Sequence, residues 1–353
     1  MTPVASALAA RIAKDGPLPL PEVMSAVSNA YYAQGDVFGR GGDFVTAPEI
    51  SQVFGELIGL WCAITWEALG KPATFHLVEC GPGRGSLMAD LLRASARVAG
   101  FRDAAKIHLV ERSAALRARQ KAALNGNDVA WHDSLETVPR GPMILLANEF
   151  LDALPIRQFV RQERDWAERH VGLEKDAFVF VPIPDPAPPA NLPAEAPVGA
   201  VAEVCDVAIA FVDALARRIA ADGGAALLID YGYNGPALGE TLQAVKQHKY
   251  HPVLGDLGDA DLTAHVDFGP LVQAAKTAGA QVFGPENQGT FLARLGIGVR
   301  TAQLARGKHA AKAAEIAAAT RRLTAPDGMG LLLKVMCVAH PSAPLPDGFV
   351  HDG

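Results

Sequence analysis

The stretch Val78-Glu79-Cys80-Gly81-Pro82-Gly83-Arg84-Gly85-Ser86 ends an apolar segment, FHLVEC, and leads into a segment with helical periodicity. The apolar segment predicts a short buried strand, and residues 87–99 predict a helix. Glycines at this spacing let the backbone turn sharply and approach a ligand, because no side chain stands in the way. The stretch therefore predicts a strand, a glycine-rich binding loop and a helix.

Strand-like and helix-like segments continue to alternate after this loop. Strands are predicted at residues 107–111, 129–132 and 143–150, and a second helix at residues 113–124. Such alternation indicates a mostly parallel sheet with helices on both faces. We therefore expect an α/β protein.

The second half of the chain departs from this alternation. Residues 156–181 predict short antiparallel strands, and residues 182–197, which hold seven prolines, predict an extended surface loop. Residues 233–267 predict an irregular tract. Regular elements are expected around these segments: helices at 207–221, 270–278 and 289–325, and strands at 225–232, 280–284 and 331–340.

Residues 1–70 are predicted to be mostly helical, with a glycine-rich loop at residues 35–44. Thr46 and Glu49 have the spacing of a capping box at the start of a helix.

Composition narrows the function. The chain of 353 residues has 32 basic and 38 acidic residues and a net charge of −6, and no basic stripe favours sequence-independent nucleic-acid binding. Four widely spaced cysteines without a CxxC pair argue against a zinc site or a disulfide scaffold.

The longest apolar stretch, residues 57–66, is too short to span a membrane. The N-terminus lacks a secretory pattern, so we expect a cytoplasmic protein; its weak amphipathicity leaves a transit peptide as the alternative.

Two acids favour a nucleotide site. Glu79 stands just before the glycine turn, and Glu111 ends the next predicted strand, where a carboxylate accepts hydrogen bonds from both ribose hydroxyls. Dehydrogenases and methyltransferases share the ribose acceptor. They differ at the loop, because a pyrophosphate needs unhindered amides. The ammonium group of S-adenosylmethionine instead suits an acid such as Glu79.

The chain resembles the MidA-like class I methyltransferases over residues 20–340. The similar segments are GDFVTAPEISQVFGE (42–56), VECGPGRGSL (78–87), NEFLDALP (148–155), DLTAHVDF (261–268) and QGTFLARLGI (288–297). The resemblance implies a Rossmann-like sheet of seven mostly parallel strands. It also implies a helical N-terminal segment with a glycine-rich lid (1–73) and a methyltransferase domain (74–353), with β- and Pro-rich (156–200) and helical (286–327) insertions.

The same resemblance implies an activity and a cofactor. The family includes a mitochondrial arginine methyltransferase that acts as a respiratory complex I assembly factor. We therefore expect S-adenosylmethionine as cofactor and methylation of protein arginine, with the 49 kDa-type subunit of complex I as the known type of target. Glu79, Gly81, Gly83 and Gly85 carry over as the loop on the methionine side, and Glu111 as the ribose acceptor.

Polar residues after the third and fourth strands complete the implied site. Asp133 and Ser134 are implied to face the adenine, although Asp133 could equally cap the following turn. Asn148 is expected beside the cofactor. Glu149 and Asp152 are expected to hold a guanidinium, which prefers bidentate carboxylates, and to take its proton. The alternative is that Asn148 and Asp152 only cap the turn.

Three further positions are candidates. His265 and Asp267 are expected to line the same cleft, His265 as a catalytic residue. The alternative for Asp267 is that it caps the helix predicted to start near Pro270. Asp43 and Thr46 are expected to contact the cofactor from a lid that excludes water. The segment HKYH (248–251) has no carboxylate or cysteine partner in the sequence, so we expect no metal.

Other functions remain open at this stage. The chain could be an assembly chaperone that uses S-adenosylmethionine only structurally, or a small-molecule methyltransferase. An NAD-dependent dehydrogenase is disfavoured by the G-x-G-x-G spacing and by the segment NEFLD. A homodimer is plausible for a chain with this much apolar helix.

Overall fold

The computed structural model describes residues 1–33, 46–246 and 249–350. These residues form two compact units, which we call the accessory unit and the sheet unit. The accessory unit contains the described residues of Met1–Phe44, Leu151–Phe211 and Tyr233–Leu271. The sheet unit contains those of Val45–Phe150, Val212–Gly232 and Val272–Gly353. Each unit is thus assembled from separate stretches of chain.

The elements of the described residues are numbered in chain order. The helices are α1 (Pro3–Asp15), α2 (Leu20–Ala33), α3 (Ala47–Ile50), α4 (Gln52–Ala68), α5 (Ser86–Ser95), α6 (Phe101–Ala104), α7 (Ala114–Ala123), α8 (Asp206–Asp222), α9 (Phe268–Thr277), α10 (Gln288–Arg294), α11 (Ile297–Ala305), α12 (Ala310–Thr324) and α13 (Met329–Leu332). The strands are β1 (Leu18–Pro19), β2 (Phe75–Cys80), β3 (Ala105–Val110), β4 (Val129–His132), β5 (Met143–Asn148), β6 (Arg157–Arg161), β7 (Trp166–Glu174), β8 (Ala177–Pro184), β9 (Val201–Val204), β10 (Gly224–Tyr233), β11 (Gln243–Lys246), β12 (Lys249–His251), β13 (Asp261–Thr263), β14 (Val266–Asp267), β15 (Gln281–Asn287) and β16 (Leu333–Ala339).

The sheet unit is built on seven strands in the order β15-β16-β10-β5-β2-β3-β4. Neighbours from β10 to β4 are parallel, and β16 runs antiparallel to both β10 and β15. Because β2 lies between β3 and β5, the strand order reverses there, and the carboxyl ends of these three strands meet at one edge. The predicted Rossmann-like, mostly parallel sheet is confirmed.

Burial explains why these segments become strands. Strand β2 is buried at every position except His76, as expected for a parallel sheet that helices cover on both faces. Its odd-numbered side chains Phe75 and Leu77 join one core with Trp61 and Leu91 of the helices. Near-continuous apolar runs of this kind were the signal read from the sequence, and β2 and β4 have the predicted boundaries.

Two glycines let α4 and α5 approach closely. A Cβ atom at Gly59 would lie 2.8 Å from Leu91 Cα, and one at Gly55 would lie 2.6 Å from Asp90 Cβ. Both glycines are buried within α4. This close approach packs α5, the helix that follows the glycine loop, against α4, and both helices share the core with β2.

The accessory unit contains two small antiparallel sheets. One has the order β1-β7-β6-β9, and β8 also pairs with β7. The second has the order β12-β11-β13. The antiparallel strands predicted at residues 156–181 are therefore confirmed. Residues 233–267, predicted to be irregular, instead contain strands of two to four residues, which are too short to show a periodic pattern. Helices α1 and α2 contribute Leu8, Leu20 and Val23 to the core of this unit.

The start of α4 also differs from the prediction. Thr46 precedes α3 but its side chain makes no capping hydrogen bond, so the predicted capping box does not form. Ser51 caps α4 instead, with its hydroxyl accepting from the Val53 backbone N–H. The glycine-rich loop at residues 35–44 lies outside the described residues. The division into units also differs from the predicted boundary near residue 73, because residues 1–33 belong with segments far along the chain.

Among the residues that the structure describes, no helix has both the length and the apolar character required to cross a membrane.

Substitution of Gly59 tests the close packing of α4 on α5. The Gly59→Ala change is expected to lower the free energy of unfolding by about 1–3 kcal/mol, because the new methyl group meets backbone atoms of Leu91. The matched control is Gly298→Ala in α11, where nothing lies within 4 Å of the added Cβ. That control is expected to stabilise by up to about 1 kcal/mol. Urea denaturation of both variants measures the difference, and equal effects would contradict the packing argument.

Candidate active site at the edge of the sheet

The glycine loop has a backbone that only glycine adopts readily. Gly81, Gly83 and Gly85 have φ angles of 64°, 53° and 83°. At Gly81 a Cβ would also lie 2.9 Å from Phe150 Cδ2. The spacing of the motif therefore follows from three left-handed positions in one turn. The turn joins β2 to α5.

Glu79 is a buried acid at the foot of this loop. Its residue is 3% exposed, and one carboxyl oxygen, Oε2, has no hydrogen-bond partner among the described residues. Burial raises the pKa of Glu79 to about 8, opposed only by a hydrogen bond from the Met88 backbone. Such a carboxyl gains most from a cationic partner. The unfilled oxygen therefore fits the ammonium group of S-adenosylmethionine.

Glu111 follows β3 and is held by neighbouring donors. Its Oε1 accepts from the Ser113 backbone N–H at 2.7 Å, and its Oε2 accepts from Gln120 Nε2 at 3.2 Å. Burial raises the pKa of Glu111, while the hydrogen bonds from Ser113 and Gln120 lower it. A carboxylate oxygen retains a further lone pair after one such bond. The residue can therefore still accept hydroxyl groups, and its role with the ribose stays a prediction.

Glu149 follows β5 in a strained conformation. Its φ is +50°, a left-handed value that is uncommon for a residue with a side chain. Its Oε1 accepts from the Ala47 backbone N–H at 2.9 Å and from Asn148 Nδ2 at 3.1 Å. Burial raises its pKa to about 7, against the lowering effect of these two bonds. Strain of this kind is often stored where a side chain must be aimed at a ligand.

The turn after β5 depends on an acid that the sequence analysis did not select. Asp230, near the end of β10, is fully buried. Its Oδ2 accepts from the Phe150 backbone N–H at 3.0 Å, and its Oδ1 accepts from the Tyr231 N–H at 2.9 Å. Asp230 thereby fixes the backbone just after Glu149. In the sequence it lies inside the predicted strand 225–232, so no local signal marks it as a site residue.

A second residue that the sequence analysis missed is Gln120 on α7. It is fully buried, and its amide contacts the carbonyl oxygen of Gly83 and the carboxylate of Glu111. The residue thus joins the loop to the expected ribose acceptor. A lone glutamine within a helix carries no sequence signal for such a role.

The two residues expected at the adenine lie beside β4. The Asp133 side chain is 79% exposed and pairs with Arg117 at 2.6 Å. Ser134 precedes a short 3-10 turn, Leu135–Thr137, and makes no capping hydrogen bond with its side chain. Asp133 is therefore engaged with α7 rather than capping the turn, and the adenine contact stays a prediction.

Asp152 and His265 belong to the accessory unit. The Ala264 backbone N–H donates to the carbonyl oxygen of Asp152 at 2.9 Å, so the two chain segments meet. His265 lines a cavity of about 30 Å³ together with Glu203 and Tyr233. Burial lowers the pKa of His265, and Glu203 raises it. Asp267 Oδ1 accepts from the Gly269 N–H at 2.9 Å, which confirms its alternative role at the start of α9.

The sheet unit brings together most of the predicted site residues. These are Glu79, the three loop glycines, Glu111, Asp133, Ser134, Asn148, Glu149 and Thr46. The alternative for Asn148 does not hold, because a cap accepts through Oδ1 and the Asn148 Oδ1 has no hydrogen-bond partner among the described residues, while its Nδ2 donates to the Glu149 carboxyl. Asp43 lies outside the described residues, as does His248 of the segment HKYH. Among the described residues no group of three His, Cys, Asp or Glu side chains is placed to hold a metal ion.

Fold and site together define a class I methyltransferase: a seven-stranded sheet with reversal at β2, a left-handed glycine loop, and acids at the ends of β2, β3 and β5. Comparison with known proteins supports this assignment to the methyltransferases. Residues 57–286 match the family described as "Putative S-adenosyl-L-methionine-dependent methyltransferase". The chain belongs to this family. It is an S-adenosylmethionine-dependent methyltransferase, as the resemblance implied.

Relatives extend over most of the chain. It is 40% identical to "Protein arginine methyltransferase NDUFAF7, mitochondrial" of Danio rerio, over 92% of this chain and 83% of that protein. It is 37% identical to the protein of the same name in Homo sapiens, over 85% and 75% of the two chains. A superfamily member from Burkholderia thailandensis, solved with S-adenosyl-homocysteine bound, is 30% identical with a TM-score of 0.82, over 98% and 93% of the two chains.

The relatives correct one prediction. The sequence analysis predicted a cytoplasmic protein, but the fish, mouse and human relatives are all named mitochondrial. The prediction of a cytoplasmic protein is therefore wrong on this comparison.

The buried acid Glu79 gives a prediction about pH. Its folded-state pKa of about 8 lies above the ordinary value of 4.5 for this side chain, so ionisation destabilises the cofactor-free protein. The stability that neutral Glu79 contributes is fully present below pH 4.5 and is lost as the pH rises toward 8. Glu79→Gln removes this loss, so the variant is expected to gain stability relative to the parent between those values.

Thermal melts of the cofactor-free protein across pH 5–9 measure this effect. Glu195→Gln, an exposed acid in the proline-rich loop, serves as the control and is expected to melt like the parent at each pH. A Glu79→Gln difference that stays constant with pH would show that Glu79 is not held neutral by burial.

Proposed function

We propose that this protein transfers a methyl group from S-adenosylmethionine to an arginine side chain of a protein. The observation that supports this most directly is Glu149, a half-buried carboxyl in a strained backbone conformation just after β5, whose pKa burial raises to about 7. An arginine side chain is a cation with N–H donors in a planar fork, which a carboxylate binds in preferred geometry. The relatives named protein arginine methyltransferase, at 35–40% identity, support the same choice of acceptor.

Glu149 has two tasks in this proposal. When bound, the cofactor supplies a methyl group on a positively charged sulfur. Glu149 orients one guanidinium nitrogen, so that positioning contributes much of the rate. As a nitrogen gains the methyl group it must lose a proton, and Glu149 receives it. Its pKa of about 7 suits this transfer near neutral pH, since a base works best when its pKa is close to the operating pH.

We assign the cofactor to the edge of the sheet unit. Glu79 would bind the ammonium group, and Gly81, Gly83 and Gly85 would bring the backbone close to the methionine portion. Glu111 would accept the ribose hydroxyls. Asp133, Ser134, Asn148 and Thr46 are further candidate contacts. Asp152 and His265 remain candidate substrate residues, and single substitutions of each, assayed for methyl transfer and for cofactor affinity, test them separately.

The acceptor protein is the finer part of the proposal. We infer a respiratory complex I subunit of the 49 kDa type, from the resemblance stated above, and a homodimer as the assembly. Incubation of the enzyme and labelled cofactor with that subunit, followed by peptide mass analysis, tests the first inference. Sedimentation of the purified protein tests the second.

Substitution of Glu149 separates transfer from cofactor binding. Glu149→Gln keeps an oxygen to accept from the Ala47 N–H but loses the charge and the proton acceptor. Methyl transfer is expected to fall by about 10²–10⁴-fold. Affinity for S-adenosyl-homocysteine, measured by calorimetry, is expected to stay within about threefold, since no cofactor contact is removed. Glu195→Gln is the control.

Three outcomes would contradict this reading. An equal loss of transfer and cofactor affinity would assign Glu149 to the cofactor rather than to the acceptor. Methylation of a small molecule, with no mass gain on any candidate protein, would move the function to the small-molecule alternative. Complex I assembly that survives a binding-competent but transfer-dead variant would favour the chaperone alternative.

A further inference from the structure

We propose that Gln120 is the positioning residue of the cofactor site, and that its side-chain amide holds the glycine loop and the Glu111 carboxylate at a fixed spacing. The proposal rests on the cofactor roles assigned above to Gly83 and Glu111. It concerns a residue of α7 that the motifs do not include. Gln120 would act through these two groups and would itself contact neither the acceptor nor the transferred methyl group.

The amide of Gln120 uses its polar atoms on three partners. Its Nε2 donates to the Gly83 carbonyl oxygen at 2.8 Å and to Glu111 Oε2 at 3.2 Å. Its Oε1 accepts from Trp131 Nε1 at 2.9 Å. The residue is fully buried, so none of these bonds competes with water.

Trp131 fixes the orientation of this amide. An indole N–H can only donate, so the amide oxygen must face Trp131. The NH₂ group must then face the other side, where both available partners are acceptors. Its two hydrogens therefore match the Gly83 carbonyl and the Glu111 carboxylate one to one. If the amide were reversed, its oxygen would face two acceptors, the Gly83 carbonyl and the Glu111 carboxylate. Its NH₂ group would face the N–H donor of Trp131.

No other side chain fits this position. Glutamate offers no donor when ionised and would set a second charge beside Glu111. Asparagine is one methylene shorter, and leucine has the size but no donor. The backbone is also close to the loop, since a Cβ at Gly85 would lie 3.5 Å from Gln120 Cα. The amide thus spans the gap between two elements that follow different strands, β2 and β3.

The neighbours of Gln120 on α7 act on the same group. Ser113 caps the helix and donates its N–H to Glu111 Oε1, and Arg117 Nε donates to the Glu111 backbone carbonyl at 2.7 Å. Only Gln120 also reaches the glycine loop among these three. Its removal would therefore uncouple the loop from Glu111, while the helix would keep its other contacts.

Substitutions of Gln120 test the proposal when two quantities are measured: the affinity for the cofactor product and hydrogen exchange in the cofactor-free protein. Gln120→Glu and Gln120→Leu are expected to lower the affinity for S-adenosyl-homocysteine by about 10–100-fold, measured by calorimetry on the folded protein. Hydrogen exchange of the loop amides at residues 81–86 is expected to speed up in the cofactor-free state. Trp131→Phe, which keeps Gln120 but removes the donor that orients it, is expected to give a smaller loss in the same direction.

The controls separate positioning from stability. Gly172→Ala in β7, where an added Cβ would lie 2.8 Å from Val181 Cγ2, lowers stability in the accessory unit and is expected to leave affinity unchanged at a temperature where it is folded. Affinity within threefold of the parent in all three variants, or slower loop exchange, would overturn the proposal. Should Gln120→Glu and Gln120→Leu fail to fold, unchanged affinity in Trp131→Phe would overturn it alone.

This test does not depend on the acceptor. A parent protein that binds S-adenosyl-homocysteine but methylates no arginine would overturn the proposed function and leave Gln120 to be judged by its own variants. A parent protein that does not bind S-adenosyl-homocysteine would overturn the cofactor site and this proposal together.

Discussion

Three carboxyl groups share one edge of a parallel sheet, and the cost of keeping them there governs the rest of the site. Glu79, Glu111 and Glu149 stand at or just after the ends of β2, β3 and β5, which are direct neighbours. Burial raises the pKa of all three. Glu79 is the most buried of the three and has an unfilled carboxyl oxygen, which makes it suited to a ligand that carries positive charge. The cofactor-free protein gives up stability here, as functional sites commonly do.

The sequence made the sheet predictable because its signals are local. A strand, a glycine loop and a helix follow one another within residues 75–95, and the acid at each strand end lies next to a recognisable apolar run. The accessory unit was less accessible, since β1 pairs with β7 across some 150 residues, for instance Leu18 with Val171. Strands as short as β11 and β13 have no room for a periodic pattern. Their existence depends on partners that only the folded chain supplies.

The site residues also divide into those that local sequence signals identify and those that only the folded chain reveals. Glu79, Glu111 and Glu149 could be selected because strand ends in this architecture meet at the ligand. Asp230 and Gln120 could not, because they act on backbone and side chains that lie far away in sequence. Thr46 shows the opposite error. Its spacing to Glu49 fits a capping box, yet the long helix α4 begins only at Gln52. The capping hydrogen bond of α4 is made by Ser51.

The distribution of donors among the three acids suggests which ligand each receives. Glu79 accepts one backbone hydrogen bond and has a pKa near 8, while Glu149 accepts two and has a pKa near 7. Glu111 accepts from Ser113, Gln120 and the Arg112 backbone. A carboxylate already supplied with donors needs no cation and is suited to neutral hydroxyls, whereas the two poorly supplied acids gain most from charge. Under the proposed function, Glu79 and Glu149 would take the ammonium group and the guanidinium, and Glu111 would take the ribose hydroxyls. Helix α7 and its capping residue bring two of the three donors to Glu111, which is the acid that this assignment leaves without a cation.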